Sequence, residues 1–162
     1  MTDSTPTIRR ATSEDAPAVR DLARAAYAKW VPVIGREPKP MTADYDAAVR
    51  DHLVDLLHVD GTLAALIETI PEADHLLIEN VAVAPAFQGA GHGRRMMDHA
   101  EQLAATLGYG EVRLYTNQMF AENVRLYLAL GYLIEREERG VLGMTVYMTK
   151  SVVGRDSDDG RR

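Results

Sequence analysis

The sequence predicts a mixed α/β (α+β) domain of about seven strands and about four helices. Three observations carry that prediction. Apolar runs of strand length alternate with stretches of helical spacing. An Asp-Gly pair, Asp60-Gly61, separates two of the apolar runs. Glycines stand where helices should stop, at Gly108 and Gly131. The 162 residues suit one domain, expected over residues 1–150, and 46% hydrophobic content is enough for a real core. The final stretch, 151–162, loses all periodicity and reads as a disordered tail.

Residues 7–12 read as a short first strand. SEDAPAVRDLARAAYAKW, residues 13–30, reads as a helix capped by Ser13, with acidic residues in its first turn. Ala18, Leu22, Ala25 and Ala26 give it an apolar stripe. Residues 31–42 hold three prolines and a glycine, so a loop without helix is expected. ADYDAAVRDHL reads as a second, short helix. Residues 54–70 read as two strands around Asp60-Gly61, because Asp-Gly accepts the positive φ angles of a tight hairpin turn. HLLIENVAVAP is a nearly continuous apolar strand, as expected of one buried on both faces. Met96, Met97, Ala100, Leu103, Ala104 and Leu107 then fall at helical spacing. EVRLYT reads as a strand and AENVRLYLALG as a helix. YLIEREER and LGMTVYMTK read as an antiparallel pair. The order is β-α-α-β-β-β-α-β-α-β-β.

Composition narrows the function. The net charge of −6 argues against nucleic acid as a partner; an acidic surface serves solubility or attracts a cationic substrate. No apolar run approaches the ~18 residues of a membrane span, and MTDSTPTIRR lacks the apolar stretch of a secretory signal. The expected location is the cytoplasm. There is no cysteine, which removes thiol nucleophiles, disulfides and cysteine-based zinc sites. The serines, Ser4, Ser13, Ser151 and Ser157, lie near the ends, so no serine-hydrolase elbow sits in mid-chain. His92 and His99 share a helix face, but no H-E-x-x-H pattern supports a metal, and none is expected. His92 should face a cofactor or solvent, and His99 the surface.

VAPAFQGAGHGRR places Gly89, Gly91 and Gly93 between a strand and a helix. The first amides of a helix have no internal acceptor, and the helix dipole is positive there. Glycines let a phosphate come close to the backbone. The Walker pattern fails because its sixth position from Gly89 is Arg94, and the dinucleotide fingerprint fails at the same residue. The pattern that fits is Q-x-x-G-x-G, as Gln88, Gly91 and Gly93. A turn that merely eases packing is the other reading.

IENVAVAPAFQGAGHGRRMMDHAEQLA followed by LYTNQMFAENVRLYLALGY resembles the GCN5-related N-acetyltransferase (GNAT) family. By element order the likeness covers roughly residues 7–150, and it is sharpest from Glu79 to Tyr132. It implies a central, mostly antiparallel, twisted sheet with a splayed parallel pair in the middle. It implies that the Q-x-x-G-x-G turn binds the pyrophosphate of acetyl-CoA through Gln88, Gly89, Ala90, Gly91, His92, Gly93 and Arg94. Pantetheine would pair with strand backbone over Val81, Ala82 and Val83, and Asn123 would bond to the cofactor.

Acetyl transfer to an amine needs a proton acceptor for the amine, a polarised carbonyl and a proton donor for the leaving thiolate. The resemblance puts the donor at Tyr127, which shares a helix face with Asn123 at i and i+4; a core tyrosine is the alternative. Glu79 is the candidate base, acting directly or through water, because a carboxylate inside an apolar strand is rare unless paired or useful. A salt bridge at a strand end is the alternative, and Asn80 is a second candidate for ordering a water. The Val83 N–H is the candidate contact for the carbonyl. On the acceptor side, Tyr27, Trp30 and Tyr45 would form an aromatic wall for an amine, and Arg36 would hold a substrate carboxylate; ordinary packing or surface is the other reading of each. The implied function is an acetyl-CoA-dependent N-acetyltransferase acting on a primary amine of a small molecule or peptide, by direct attack in a ternary complex. The alternatives are a non-catalytic acyl-CoA-binding or sensing module and transfer of a longer acyl group. Family members often dimerise, so a homodimer is compatible with the resemblance.

Overall fold

Asp60 and Gly61 both adopt positive φ, 52° and 81°, and close the expected hairpin. The structure is a computed structural model that describes residues 5–141 and 143–152. The hairpin joins β2 (Leu53–Val59) to β3 (Thr62–Pro71). The other strands are β1 (Thr7–Arg10), β4 (Leu76–Val83), β5 (Glu111–Asn117), β6 (Leu133–Gly140) and β7 (Gly143–Ser151). All lie in one sheet, in the order β1-β2-β3-β4-β5-β7-β6. The pairs β1/β2, β2/β3, β5/β7 and β6/β7 are antiparallel, and β4/β5 is parallel. The chain therefore forms the expected mixed sheet with a parallel pair in its middle. Among the described residues that parallel ladder covers only Leu76–Ile78 against Val112–Leu114. The tail expected over 151–162 starts later: Ser151 closes β7 opposite Glu111 and Val152 N–H donates to the Gly110 carbonyl at 2.9 Å, while residues 153–162 lie outside the described residues.

The chain divides into two compact units. One runs to Thr69 and resumes over Asn80–Met97; the other comprises Ile70–Glu79 and the chain from Asp98. In the first unit, the expected helix over 13–30 is broken into three pieces. A 3-10 turn spans Ser13–Asp15, α1 spans Ala16–Tyr27, and a second 3-10 turn spans Ala28–Trp30. Thr12, not Ser13, is the cap residue: its N–H donates to Asp15 Oδ2 at 2.8 Å, and Asp15 also pairs with Arg9 at 2.8 Å. The buried stripe of α1 is Ala16, Val19, Leu22, Ala23, Ala26 and Tyr27, whereas Ala18 and Ala25 are exposed. Alanine is too small to reveal which face it takes, and Val19 and Tyr27 decide it.

The proline-rich segment also differs from expectation. It contains two four-residue helices, α2 (Val31–Ile34) and α3 (Lys39–Thr42). Each carries a proline in its first turn, where the missing N–H has no acceptor to lose, so these prolines start helices instead of breaking them. The short helix α4 (Tyr45–Asp51) follows, capped by Asp44, whose side chain accepts from Ala47 N–H at 3.0 Å.

In the second unit, α6 (Ala121–Ala129) lies between β5 and β6, and β5, β7 and β6 pair over most of their length. Leu76, Ile78, Val112, Leu114, Val146 and Met148 are among its buried residues. α5 (His92–Thr106) begins in the first unit and buries Met96, Met97, Ala100 and Ala104 along its length, at the predicted spacing. β4 is not buried on both faces. Leu76, Ile78, Asn80 and Ala82 are buried, while Leu77, Glu79, Val81 and Val83 are half-buried. Among the described residues, no helix is long and apolar enough to cross a membrane.

Candidate active site

The glycine turn lies wholly in the first unit. β4 ends at Val83, Ala84 N–H donates to the Ala64 carbonyl at 2.8 Å, and a 3-10 turn over Pro85–Phe87 follows. Gly89 and Gly91 have φ of 86° and 85°, and a Cβ built on either meets nothing within 4 Å. Packing therefore does not demand glycine here. The left-handed backbone does, and the space in front of it is open. Behind the turn, Arg95 N–H donates back to the Gly91 carbonyl at 3.0 Å, and the amides of His92, Gly93 and Arg94 stand at the helix start with no intrahelical acceptor. The unpaired N–H donors at the positive end of a fifteen-residue helix, next to glycines with room around their Cα atoms, are a donor set that fits a diphosphate.

The motif glutamine is a brace. Gln88 Nε2 donates to the Val83 carbonyl at 3.0 Å, and Gln88 Oε1 accepts from Lys29 Nζ at 3.2 Å. Lys29 thus brings a cation to the turn from 59 positions away in sequence, and no local pattern marks it. Ala90 and Arg94 are exposed. His92 does not face solvent. Its ring is buried edge-on against Phe87, with centroids 6.0 Å apart, and its Nδ1 lies 3.2 Å from Arg95 Nη1. As the first residue of α5, it folds back over the 3-10 turn.

The same unit holds the residues expected on the acceptor side. Tyr27 and Tyr45 are buried, and their rings turn inward rather than lining an exposed wall. The Tyr27 hydroxyl lies 2.8 Å from Asn80 Oδ1 and 3.1 Å from the Val81 carbonyl oxygen. Asn80 Nδ2 donates to the Tyr45 hydroxyl at 3.1 Å, and that hydroxyl donates to the Pro40 carbonyl at 2.6 Å. Asn80 is thus taken up by two tyrosines. Trp30 is also buried, with Lys29 Nζ 5.2 Å from its ring centroid. Arg36 is half-buried and donates to the Glu37 carbonyl at 3.3 Å.

The second unit holds Glu79, Tyr127 and Asn123. Glu79 lies on the half-buried face of β4, and its partner is a phenol: Tyr115 on β5, 3.0 and 2.9 Å from the two carboxylate oxygens. The salt-bridge alternative is not the arrangement found. Nothing in the local sequence singles out Tyr115; the parallel register brings it there. Tyr127 is buried on α6 and makes no side-chain hydrogen bond among the described residues. Its ring packs edge-on against Tyr132, with centroids 6.2 Å apart, and burial raises the pKa of its hydroxyl. Tyr132 donates to Glu101 Oε2 at 3.0 Å, and Lys150 pairs with Glu101 Oε1 at 2.9 Å. Burial, and next the Glu101 charge, raise the pKa of Tyr132 as well. Asn123 is half-buried, one helical turn before Tyr127.

Residues 16–132 match the model of the acetyltransferase (GNAT) family. Similar solved structures include the ribosomal-protein-S18-alanine N-acetyltransferase from Escherichia coli, at 21% identity and TM-score 0.73, covering 94% of this chain and 98% of that one. The PaiA N-acetyltransferase from Thermoplasma acidophilum, in complex with coenzyme A, is 18% identical with TM-score 0.72, covering 91% and 99%. A GNAT family acetyltransferase from Elizabethkingia anophelis with acetyl-CoA bound is 17% identical with TM-score 0.73, covering 93% and 99%. At these identities the structures establish a shared fold, and the family match covers most of the chain. A strand, an open left-handed glycine turn and a helix start, in this fold and under that match, make the chain a member of the GNAT acetyltransferase family.

Proposed function

We propose that this chain is an acetyl-CoA-dependent N-acetyltransferase that acetylates a primary amine of a small molecule or peptide by direct attack in a ternary complex. The observation that carries the reading is the open turn at Gly89 and Gly91 ahead of the α5 amides. The coenzyme A and acetyl-CoA held by similar structures support it. Acetyl-CoA, when bound, supplies an activated acetyl thioester. Gln88 to Arg94 hold its diphosphate through backbone N–H groups, with each charge-assisted bond contributing roughly 1.5–3 kcal/mol. Backbone over Val81–Val83 would hold the arm that carries the thioester, the Val83 N–H would serve the acetyl carbonyl, and Asn123 would bond to the cofactor. On the acceptor side Arg36 would hold a substrate carboxylate, and the aromatic residues Tyr27, Trp30 and Tyr45 are buried.

Glu79 takes the proton from the attacking amine, directly or through a water, with its carboxylate held by Tyr115. Tyr127 is the donor for the departing sulfur. A tyrosine ordinarily titrates near ~10 and a thiol near ~8.5. Burial moves Tyr127 further up, so it keeps its proton at neutral pH, and full transfer to a thiolate is uphill. Its contribution is therefore a hydrogen bond that strengthens as charge develops on sulfur.

The test is thermal unfolding with acetyl-CoA, coenzyme A, ATP and NAD, followed by thiol release over an amine panel. A ligand at ~100 times its dissociation constant should stabilise the protein by about 2.7 kcal/mol. A shift with the two coenzyme A species alone, together with thiol release, is the expected result. No shift with either returns the glycines to the role of a turn. Binding without thiol release on any amine makes the chain an acyl-CoA-binding module.

A further inference from the structure

We propose that Tyr27, Asn80 and Tyr45 are positioning residues for the thioester arm of acetyl-CoA: they orient the peptide plane after Val81 and tie it to the proline-rich segment 31–42. This inference rests on the acetyl-CoA reading above. The three side chains form one buried chain of hydrogen bonds. It runs from the Val81 carbonyl and Asn80 Oδ1, which share the single proton of the Tyr27 hydroxyl at 3.1 and 2.8 Å, through Asn80 Nδ2 to the Tyr45 hydroxyl and on to the Pro40 carbonyl. Relative exposures are 8% for Tyr27, 5% for Asn80 and 2% for Tyr45.

Asn80 shares the inner face of β4 with Leu76, Ile78 and Ala82. A buried amide there is costly unless both of its ends are satisfied, whereas an apolar side chain would need no partners at all. Its two ends are satisfied by tyrosines from α1 and α4, far away in sequence. Packing alone does not call for that arrangement; orientation does. Because a peptide is planar, fixing the Val81 C=O also fixes the Ala82 N–H on its opposite edge. A carbonyl oxygen has two lone pairs, so the Tyr27 contact leaves one for a ligand. Two residues after Tyr27, Lys29 bonds to Gln88 in the glycine turn. One short stretch of chain thus braces both the strand assigned to the arm and the turn assigned to the diphosphate. At its far end, the network holds Pro40, within the segment that borders the acceptor.

The experiment is calorimetry on the full chain with two probes: acetyl-CoA, and the nucleotide diphosphate half of coenzyme A, which lacks the arm. In the Tyr27→Phe variant, acetyl-CoA should bind roughly threefold to tenfold more weakly, as expected for one lost hydrogen bond, and the nucleotide half should bind as in the wild type. Tyr45→Phe, which leaves the Val81 contact intact, should act in the same direction by less. Unchanged acetyl-CoA affinity in Tyr27→Phe overturns the inference. Equal weakening of both probes also overturns it, since that marks general loosening. A wild-type chain that binds neither probe refutes the acetyl-CoA reading itself, whereas one that binds both while Tyr27→Phe is indistinguishable from it refutes this inference alone.

Discussion

The Tyr115 hydroxyl donates to the Glu79 carboxylate, 3.0 and 2.9 Å from its two oxygens. The two residues are 36 positions apart and directly follow the three paired positions of the parallel ladder. The register that pairs β4 with β5 therefore also pairs the carboxylate with its donor.

If Glu79 accepts the amine proton, Glu79→Gln should lower kcat by roughly 10²-fold or more and leave acetyl-CoA affinity unchanged. Tyr115→Phe should cost less, about threefold to tenfold, and should cost almost nothing further in the Glu79→Gln background. Steady-state kinetics on the two single variants and the double variant check this. A Tyr115→Phe effect of the same size in both backgrounds would separate Tyr115 from Glu79.

Tyr127→Phe keeps the buried ring and its contact with Tyr132 but removes the hydroxyl. Turnover should fall roughly 10²-fold or more while acetyl-CoA binding persists. Full activity in this variant would leave water as the donor and Tyr127 as a core residue.

Gly93→Asp should abolish coenzyme A binding while the domain still folds. A carboxylate in the first turn of α5 suits the helix dipole but repels a diphosphate. Gly91→Ala tests the turn differently. Its Cβ would meet nothing within 4 Å, yet φ is 85°, so the cost should be conformational, roughly 1–2 kcal/mol by denaturant unfolding. Unchanged calorimetric affinity in Gly93→Asp would count against the diphosphate assignment.

Stability should fall at both ends of the pH scale for different reasons. The Arg9 guanidinium, and next the Thr12 backbone N–H, hold the Asp15 carboxyl well below the usual carboxylate range. A depressed native pKa gives stability that is present above the unfolded value near ~4 and is lost as pH falls. Asp15→Asn should therefore flatten the acid limb of a stability–pH curve. Tyr132 is raised by burial, so its contribution is complete below ~10 and is lost as pH rises further. Tyr132→Phe should flatten the alkaline limb. An acid limb unchanged by Asp15→Asn, measured by urea unfolding across pH, would show that the Arg9 pair does not persist in solution.

Features with local causes were legible in the sequence. The hairpin at Asp60-Gly61, the strand–turn–helix around Gln88–Gly93 and the helix stops at Gly108 and Gly131 depend on backbone preferences of one or a few adjacent residues, and each stands where it was expected. Local signals failed where two rules competed. The prolines of residues 31–42 looked like breakers, but Pro32 and Pro40 occupy first-turn positions where proline is compatible with helix, and Pro38 is the N-cap of α3. Ser13 looked like a cap, but Thr12 and Asp15 form a reciprocal pair that one candidate residue cannot reveal.

By itself, then, the sequence determined the order of the strands and the longer helices and the left-handed glycine turn, because those follow from φ preferences and periodicity along the chain, while its motifs carried the resemblance to the family. Only the tertiary structure decided which side chains meet. Tyr27 and Asn80 are 53 positions apart, Asn80 and Tyr45 35, Glu79 and Tyr115 36, and Lys29 and Gln88 59. Such contacts depend on sheet register and on how helices pack against it, and no local rule encodes either. The same Asn80 that reads in sequence as a residue to hold a water is, once the chain is folded, held at both ends by tyrosine.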